Sequence, residues 1–410
     1  MAGALLAAVG TGPVHAENVR DAQWPLVTYR AESAIWPVSQ GEGVTVAVVD
    51  SGVLKEHQDL TGQVLAGVDL TGEKTDGTVD TNGHGTGMAS LIAGHGHGTG
   101  AGIVGLAPKA KILPIRIDLT QESPSDQSDI ARAIRYAVDH GAKVVNMSIG
   151  GPSGADPDER AAVKYAMDKD VVLVASTGND GDKGASVDYP AAFPGVVAVG
   201  AVDRNGLIWS KSSSGPETTL VAPGAEIPRA GAKSTSSQGV ANGTSDATAY
   251  VSATAALIRA KYPELSAGQV INRMIKSATP PADGSAVPSE RYGYGVLSPA
   301  KALEVNPAVD GGPRENPLAG RAEAKGGVTA SPSEEEWESP PPVTVPVTAE
   351  NRGVKWVLMG TAVVAGVVLV GVVVAVLLVV RGRRRRARAA AAAAHQAYPP
   401  PPQQWPPYQG

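Results

Sequence analysis

The sequence of 410 residues contains no cysteine, which excludes disulfide bonds, thiolate metal sites and a cysteine nucleophile. Aromatic residues are also scarce, at 4% of the chain with a single phenylalanine. Alanine, valine and glycine are plentiful, and such residues suit parallel strands buried on both faces with helices packed closely over them. Apolar residues make up 42% of the chain, so a large buried core is possible. We therefore expect an α/β fold.

The charge pattern gives no sign of a nucleic-acid partner. The formal net charge is -5. Six of the 35 basic residues follow residue 380, where no acidic residue occurs, so residues 1–380 carry 29 basic and 40 acidic residues and a net charge of -11. A nucleic-acid-binding domain would need a basic patch instead.

The N-terminus has the pattern of a secretion signal. An apolar run from Ala4 to Val9 is followed by Val14-His15-Ala16, a small-x-small sequence suited to signal peptidase cleavage before Glu17. We predict a signal peptide over residues 1–16. A basic n-region is missing, so an alanine-rich leader of another kind is the alternative.

Residues 356–380 form an uncharged run of 25 residues, rich in valine, leucine, alanine and glycine. At about 1.5 Å per residue, a helix of this length would cross a bilayer with some tilt. Six arginines follow it, so the positive-inside rule places the tail, residues 381–410, in the cytoplasm and the bulk of the chain outside. A cell-wall sorting signal is the competing interpretation, but its Leu-Pro-x-Thr-Gly motif is missing upstream. We predict one C-terminal transmembrane helix.

The segments around this anchor are rich in proline. Residues 306–355 are also rich in glycine and glutamate, which favours an extended, semi-rigid linker. The tail runs from poly-alanine into a proline tract, and we predict it to be disordered, with docking of that tract as the alternative. Residues 17–42 are an N-terminal extension, and residues 43–305 are the main domain.

Three short glycine-rich segments carry an aspartate, a histidine and a serine, in that order. Asp50 follows a continuous apolar strand pattern, at the sheet edge where catalytic groups collect. His84 precedes a helical pattern, and imidazole, with a pKa near about 6.5, suits proton transfer. Ser245 opens a helical pattern of small residues, and a helix N-terminus favours negative charge. Singly these residues could be a turn carboxylate, a loop histidine and a helix cap, but together they predict a triad for acyl transfer.

The order Asp, His, Ser is that of subtilisin. A fourth segment, Thr177-Gly178-Asn179-Asp180-Gly181, lies where that family keeps its oxyanion-hole asparagine. From about Gln23 to Val305 the chain therefore resembles the subtilisin-like serine proteases. The resemblance implies a three-layer α/β fold with a mainly parallel sheet. It also implies four catalytic residues, namely Asp50, His84, Ser245 and Asn179.

The resemblance extends to the substrate-binding segment. Residues 144–151 are similar to the family segment whose backbone pairs with an extended substrate, which assigns Ser148, Gly150 and Gly151 to substrate binding. The two glycines would leave room for substrate side chains. The family commonly has a second histidine where this chain has Gly87, and we expect the catalytic base to tolerate that change. The bond before Pro190 occupies the place of a family bond that is typically cis.

No metal or other cofactor is expected. Asp59 matches a family calcium ligand, but the partner loop, residues 93–100, lacks the carboxylates and amides that would complete an oxygen cage. His95 and His97 lie in that loop without a third ligand, so we interpret them as ordinary residues of a flexible loop.

The layout of signal, protease domain, proline-rich spacer, anchor and basic tail is similar to that of the mycosins, subtilisin-like proteases associated with type VII secretion in actinobacteria. The lack of cysteine departs from many mycosins. The expected function is a membrane-anchored extracytoplasmic serine endopeptidase acting on proteins or peptides, with a type VII secretion membrane complex as a partner. The alternative is a mainly structural component of such a complex that uses the protease fold for docking. An esterase or peptide ligase on the same fold is a third hypothesis.

Overall fold

The computed structural model describes residues 18–98, 100–119, 128–151 and 155–322. The predicted signal peptide, membrane anchor and tail lie outside these ranges, as do residues 323–355 of the predicted linker. In the described ranges, no helix has the length and apolar composition needed to cross a membrane.

Strands and helices alternate along much of the chain. The strands are β1 (Thr45–Asp50), β2 (Val68–Asp69), β3 (His95–His97), β4 (Ala101–Val104), β5 (Lys111–Arg116), β6 (Val144–Met147), β7 (Val172–Ser176), β8 (Val197–Val202), β9 (Thr218–Pro223), β10 (Ile227–Ala230) and β11 (Gln238–Ala241). The α-helices are α1 (Asn18–Asp21), α2 (Trp24–Thr28), α3 (His84–Ala93), α4 (Asp129–Asp139), α5 (Pro157–Asp168), α6 (Thr244–Lys261), α7 (Ala267–Ser277), α8 (Pro299–Ala302) and α9 (Pro307–Asp310). A π-helix spans Ala31–Ile35 and a 3₁₀ turn spans Gly181–Lys183.

A seven-stranded sheet with the order β2-β5-β1-β6-β7-β8-β9 forms the centre of the fold. Its neighbouring strands all pair in parallel. Parallel neighbours need crossover connections, which the intervening helices and loops supply. Strands β3 and β4 form a separate antiparallel ribbon, as do β10 and β11.

Helices cover both faces of this sheet. Val46 and Val48 of β1 face one apolar core, to which α3, α6 and α7 contribute, while Ala47 and Val49 face a second core under α4 and α5. This alternation follows from the two-residue period of a strand. Both faces are buried, which explains why the sequence shows continuous apolar runs rather than alternating ones. The predicted three-layer α/β fold is confirmed.

Residues that precede and follow the predicted main domain in the sequence also pack on it. In the N-terminal extension, Ile35 is fully buried in the core formed by α3 and α6. The Gln23 amide there exchanges two hydrogen bonds, of 2.8 and 3.0 Å, with the backbone of Val104. At the other end, the Arg321 guanidinium donates to the Phe193 carbonyl at 2.7 Å. The structure therefore keeps residues 306–322 against the domain, whereas composition alone indicated an extended linker.

The histidine-containing segment is more ordered than the flexible loop that we predicted. His95 and His97 lie on β3, which pairs with β4. The Nδ1 atom of His97 lies 2.5 Å from Asp59 Oδ1, and Asp59 Oδ2 accepts a hydrogen bond from the Ile103 amide at 2.9 Å. The prediction failed because it considered glycine content but not the pairing partner across the turn. No group of three or more metal-ligating side chains is assembled within the described residues.

Candidate active site

The aspartate and histidine singled out in the sequence are in direct contact. Asp50 is the last residue of β1 and is fully buried, while His84 is the first residue of α3, with 23% of its side chain exposed. The His84 Nδ1 atom lies 2.8 and 2.9 Å from the two Asp50 carboxylate oxygens. The Ser51 amide donates to the same carboxylate at 2.8 Å. This arrangement fixes the imidazole tautomer and leaves Nε2 as the proton acceptor.

A glycine allows α3 to approach β1 this closely. A Cβ atom built at Gly85 would lie 2.1 Å from the Gly52 carbonyl oxygen, so no other residue fits there without moving the backbone. The close packing explains why α3 begins at His84, within a glycine-rich segment. Tertiary packing has overridden the low helix propensity of glycine.

Ser245 lies in the first turn of α6 and is mostly buried. Its hydroxyl donates to the Ser148 carbonyl at 3.0 Å, and the Ser148 hydroxyl donates to the Ser245 carbonyl at 2.8 Å. Among the hydrogen bonds of the described residues, none joins Ser245 to His84. The predicted substrate-binding residue Ser148 therefore lies against the predicted nucleophile and holds its hydroxyl.

Asn179 follows β7 and lies beside the start of α6. Its Oδ1 atom accepts from the Thr244 amide at 2.9 Å and from the Thr244 hydroxyl at 3.0 Å. These two bonds orient the side-chain amide, because only the oxygen can accept them. The NH₂ group remains free to donate, since nothing in the described part of the chain accepts from it. Asn179 can thus supply a hydrogen bond to an oxyanion next to Ser245.

The other two predicted substrate-binding residues follow β6. Gly150 is exposed at the edge of the site, whereas the Gly151 amide donates to the Tyr189 carbonyl at 3.3 Å. The Tyr189–Pro190 peptide bond is cis, as the resemblance implied. Of this pair, Gly150 is the more exposed, and the Gly151 amide already has a hydrogen-bond acceptor.

Sequence reasoning missed a buried ion pair beside the histidine. Asp246, which is only 1% exposed, follows Ser245, and its Oδ1 atom lies 3.3 Å from Arg229 Nη1. Burial raises the pKa of Asp246, against the opposing effects of Arg229 and His84. An acidic residue in the first turn of a helix of small residues was the available signal, but nothing in the sequence indicated that its partner lies on β10.

The same pair explains the missing second histidine. A Cβ atom at Gly87 would lie 2.8 Å from Arg229 Cδ, so the glycine makes room for the arginine side chain. Gly87, Arg229 and Asp246 therefore pack together beside the catalytic base, and the expectation that the base tolerates Gly87 stays a prediction.

The charges around His84 predict a pH dependence. Burial lowers the pKa of His84, as does the nearby charge of Arg229, but the charge and hydrogen bond of Asp50, helped by Asp246, raise it above the ordinary value of 6.5. A general base must be neutral, so activity should rise with pH along a limb whose midpoint lies above 6.5. The rate of labelling by a serine-directed fluorophosphonate, measured across the range in which histidine titrates, checks this expectation. A midpoint below 6.5 would show that burial outweighs Asp50.

Comparison with known sequences agrees with this geometry. The sequence model of the subtilase family, peptidase S8, matches residues 41–295. The chain belongs to the subtilase family. It is 37% identical to subtilisin DY of Bacillus licheniformis over 265 residues, which cover 63% of this chain and 90% of that protein. It is also 37% identical to thermitase of Thermoactinomyces vulgaris over 224 residues, which cover 54% and 77%. The prediction of a subtilisin-like serine endopeptidase is thereby confirmed.

Solved structures of mycosins are also similar to this chain. MycP3 protease from the type VII (ESX-3) secretion system has a TM-score of 0.60 and 33% identity, covering 69% of this chain and 88% of that one. MycP1 from Mycobacterium smegmatis has a TM-score of 0.65 and 27% identity, covering 76% and 91%. MycP1 with its N-terminal propeptide removed has a TM-score of 0.60 and 29% identity, covering 71% and 99%. The mycosin-like character predicted from the layout is confirmed.

Proposed function

We propose that this subtilase is a membrane-anchored, extracytoplasmic endopeptidase that cleaves proteins through Asp50, His84 and Ser245. The observation that carries the proposal is the contact of both Asp50 oxygens with His84, next to a serine at a helix N-terminus. Buried carboxylate, oriented imidazole and nucleophile are the parts that acyl transfer requires.

In the proposed mechanism, the Ser245 hydroxyl first turns from the Ser148 carbonyl towards His84 Nε2. His84 then takes the hydroxyl proton while the Ser245 oxygen bonds to the scissile carbonyl carbon. The Asn179 NH₂ group and the backbone amide of Ser245 stabilise the resulting oxyanion. His84 gives its proton to the leaving amine as the C–N bond breaks, and water, deprotonated by His84, then releases the acyl group and restores the serine.

The proposed location depends on the sequence outside the described ranges. Residues 356–380 are apolar and are followed by six arginines, which supports one membrane crossing with the protease domain outside the cytoplasm. Alkaline carbonate extraction of membranes checks this proposal. The full chain should stay in the membrane pellet, and a chain ending at residue 355 should not; equal release of both chains would refute the anchor.

The proposed partner is a type VII secretion membrane complex. The similar MycP1 is described as an essential component of the type VII (ESX-1) secretion system, and MycP3 belongs to the ESX-3 system. The shared fold and the predicted anchor support the same association for this chain.

Digestion of an unfolded protein tests the endopeptidase activity. The full chain should cut reduced casein at internal bonds, which mass spectrometry of the products identifies, and Ser245→Ala should leave casein intact. A folded wild-type chain that produces no internal cuts would favour the docking role. Release of terminal residues alone would also contradict an endopeptidase.

A further inference from the structure

A carboxylate lies between two glycines next to the proposed oxyanion site. Strands β6 and β7 are neighbours, with Met147 opposite Ala175. Gly150 and Gly178 each follow these paired residues by three positions. A Cβ atom at Gly178 would lie 2.5 Å from Asp188 Oδ2, and one at Gly150 would lie 2.9 Å from Asp188 Cβ. The two glycines therefore leave room for the Asp188 side chain beside the backbone of both segments.

The backbone around Asp188 is held to both strand ends. The Asp188 amide donates to the Thr177 carbonyl at 3.0 Å, and the next residue, Tyr189, accepts from the Gly151 amide at 3.3 Å. These bonds connect the segment to the chain after β7 and to the chain after β6. Asp188 is thus a fixed part of the wall that these two segments form.

The Asp188 carboxylate lacks a protein partner within the described ranges, where neither a hydrogen bond nor an ion pair reaches it. Asp180, in the same loop, is paired with Lys183 at 2.7 Å. Burial and the nearby charge of Asp180 raise the pKa of Asp188 to about 6. Above that pH the group is a half-buried anion, and a half-buried anion gains stability when a cation approaches.

The reacting atoms lie beside this wall. Asn179 directly follows Gly178, and Ser148, which is bonded to Ser245, precedes Gly150 by two residues. A peptide with its scissile carbonyl at Ser245 and Asn179 therefore has its P1 side chain, that of the residue whose carbonyl is attacked, at the two glycines. A long aliphatic stem can follow the glycine backbone and bring a terminal charge to the carboxylate.

We propose that Asp188 is a specificity-determining residue that selects lysine or arginine at P1. The proposal rests on the proposed protease function and adds the substrate class. Lysine and arginine supply the missing cation and charge-assisted hydrogen bonds, and arginine can bind both carboxylate oxygens. Glutamate at P1 meets like charge from both Asp188 and Asp180, and leucine would desolvate the carboxylate without a partner.

A set of peptides that differ only at P1 tests the proposal on the full chain. We expect kcat/KM to be about tenfold or more higher for arginine or lysine than for leucine, and lowest for glutamate, since only the basic side chains form a charge-assisted hydrogen bond with Asp188. Asp188→Asn should reduce the ratio of arginine to leucine by a similar factor. The matched control is Asp182→Asn, which removes an exposed charge from the same loop and should leave the ratio unchanged.

The outcomes separate this proposal from the proposed function. If the fluorophosphonate labels wild type, the protease is active. A preference for leucine at P1, or an arginine-to-leucine ratio that is unchanged in Asp188→Asn, would then overturn only the role of Asp188. Absence of both labelling and hydrolysis in folded wild type would overturn the protease itself. If Asp188→Asn fails to fold, the inactivation rates of wild type by chloromethyl ketones test the proposal. The compound with arginine at P1 should inactivate wild type faster than the analogue with leucine at P1. The reverse order would refute the proposal.

Discussion

Replacing Asp50 with asparagine is expected to lower kcat by about 10⁴-fold while the chain stays folded. Both Asp50 carboxylate oxygens lie within 2.9 Å of His84 Nδ1. The carboxylate therefore accepts the hydrogen on this ring nitrogen and places its negative charge beside it. An asparagine amide can present its NH₂ group to that nitrogen, which would favour the tautomer with the proton on Nε2. That tautomer cannot take the serine proton.

The measurement is kcat on a peptide at a pH where His84 is neutral, with thermal unfolding to confirm the fold. Asp182→Asn, remote from this contact and exposed, is the control and should retain wild-type kcat. An Asp50→Asn variant within tenfold of wild type would show that Asp50 does not orient the general base.

Replacing Arg229 with methionine is expected to lower the free energy of unfolding by about 3–5 kcal/mol. Asp246 is 1% exposed, and Arg229 Nη1 lies 3.3 Å from its carboxylate. Removing the guanidinium leaves a buried carboxylate without a countercharge, close to His84 and Asp50. A double variant, Arg229→Met with Asp246→Leu, removes both charges and should recover most of the loss.

The destabilisation should also depend on pH. Burial raises the pKa of Asp246 above 3.8, so its protonated form is favoured in the folded chain. Loss of Arg229 removes an opposing effect and raises that pKa further. The single variant should therefore be least destabilised at acid pH and lose stability as pH rises through the folded-state pKa. Denaturant unfolding at several pH values measures this. A single variant as stable as wild type, or a double variant no better than the single one, would contradict the role of the pair.

The fold class could be predicted from the sequence because its strongest patterns, the continuous apolar runs, follow directly from burial of the strands. Buried strands such as β1 are continuous apolar runs, and the polar residue that ends the run, Asp50, marks the edge where a site forms. Such elements depend mainly on local composition and burial, which a single sequence reveals.

What the sequence could not predict depends on contacts between distant segments. Arg229 on β10 and Asp246 on α6 are 17 residues apart, and tertiary packing brings them together. The Ser245 hydroxyl donates to the carbonyl of Ser148, which lies 97 residues away in the sequence. The sequence motif around Ser245 does not indicate the side-chain rotamer that makes this bond. The motif predicted that Ser245 lies near a general base, but it did not predict which atom accepts the hydrogen bond from its hydroxyl.

The N-terminal extension is a similar case. Its composition gave no sign that Ile35 is fully buried or that Gln23 is bonded to Val104. Short apolar segments of this kind are compatible with a surface extension or with a packed one. Whether the extension packs on the domain depends on the apolar surface of α3 and α6, which cannot be deduced from the sequence of the extension alone.

Labelling of the full chain by a serine-directed fluorophosphonate probe tests the proposed triad most directly, because the probe reacts with an activated serine and not with an ordinary one. Wild type should be labelled, mass spectrometry should place the adduct on Ser245, and Ser245→Ala should lose the label. Labelling that persists in Ser245→Ala, or a folded wild-type chain that is not labelled, would contradict an assembled catalytic site.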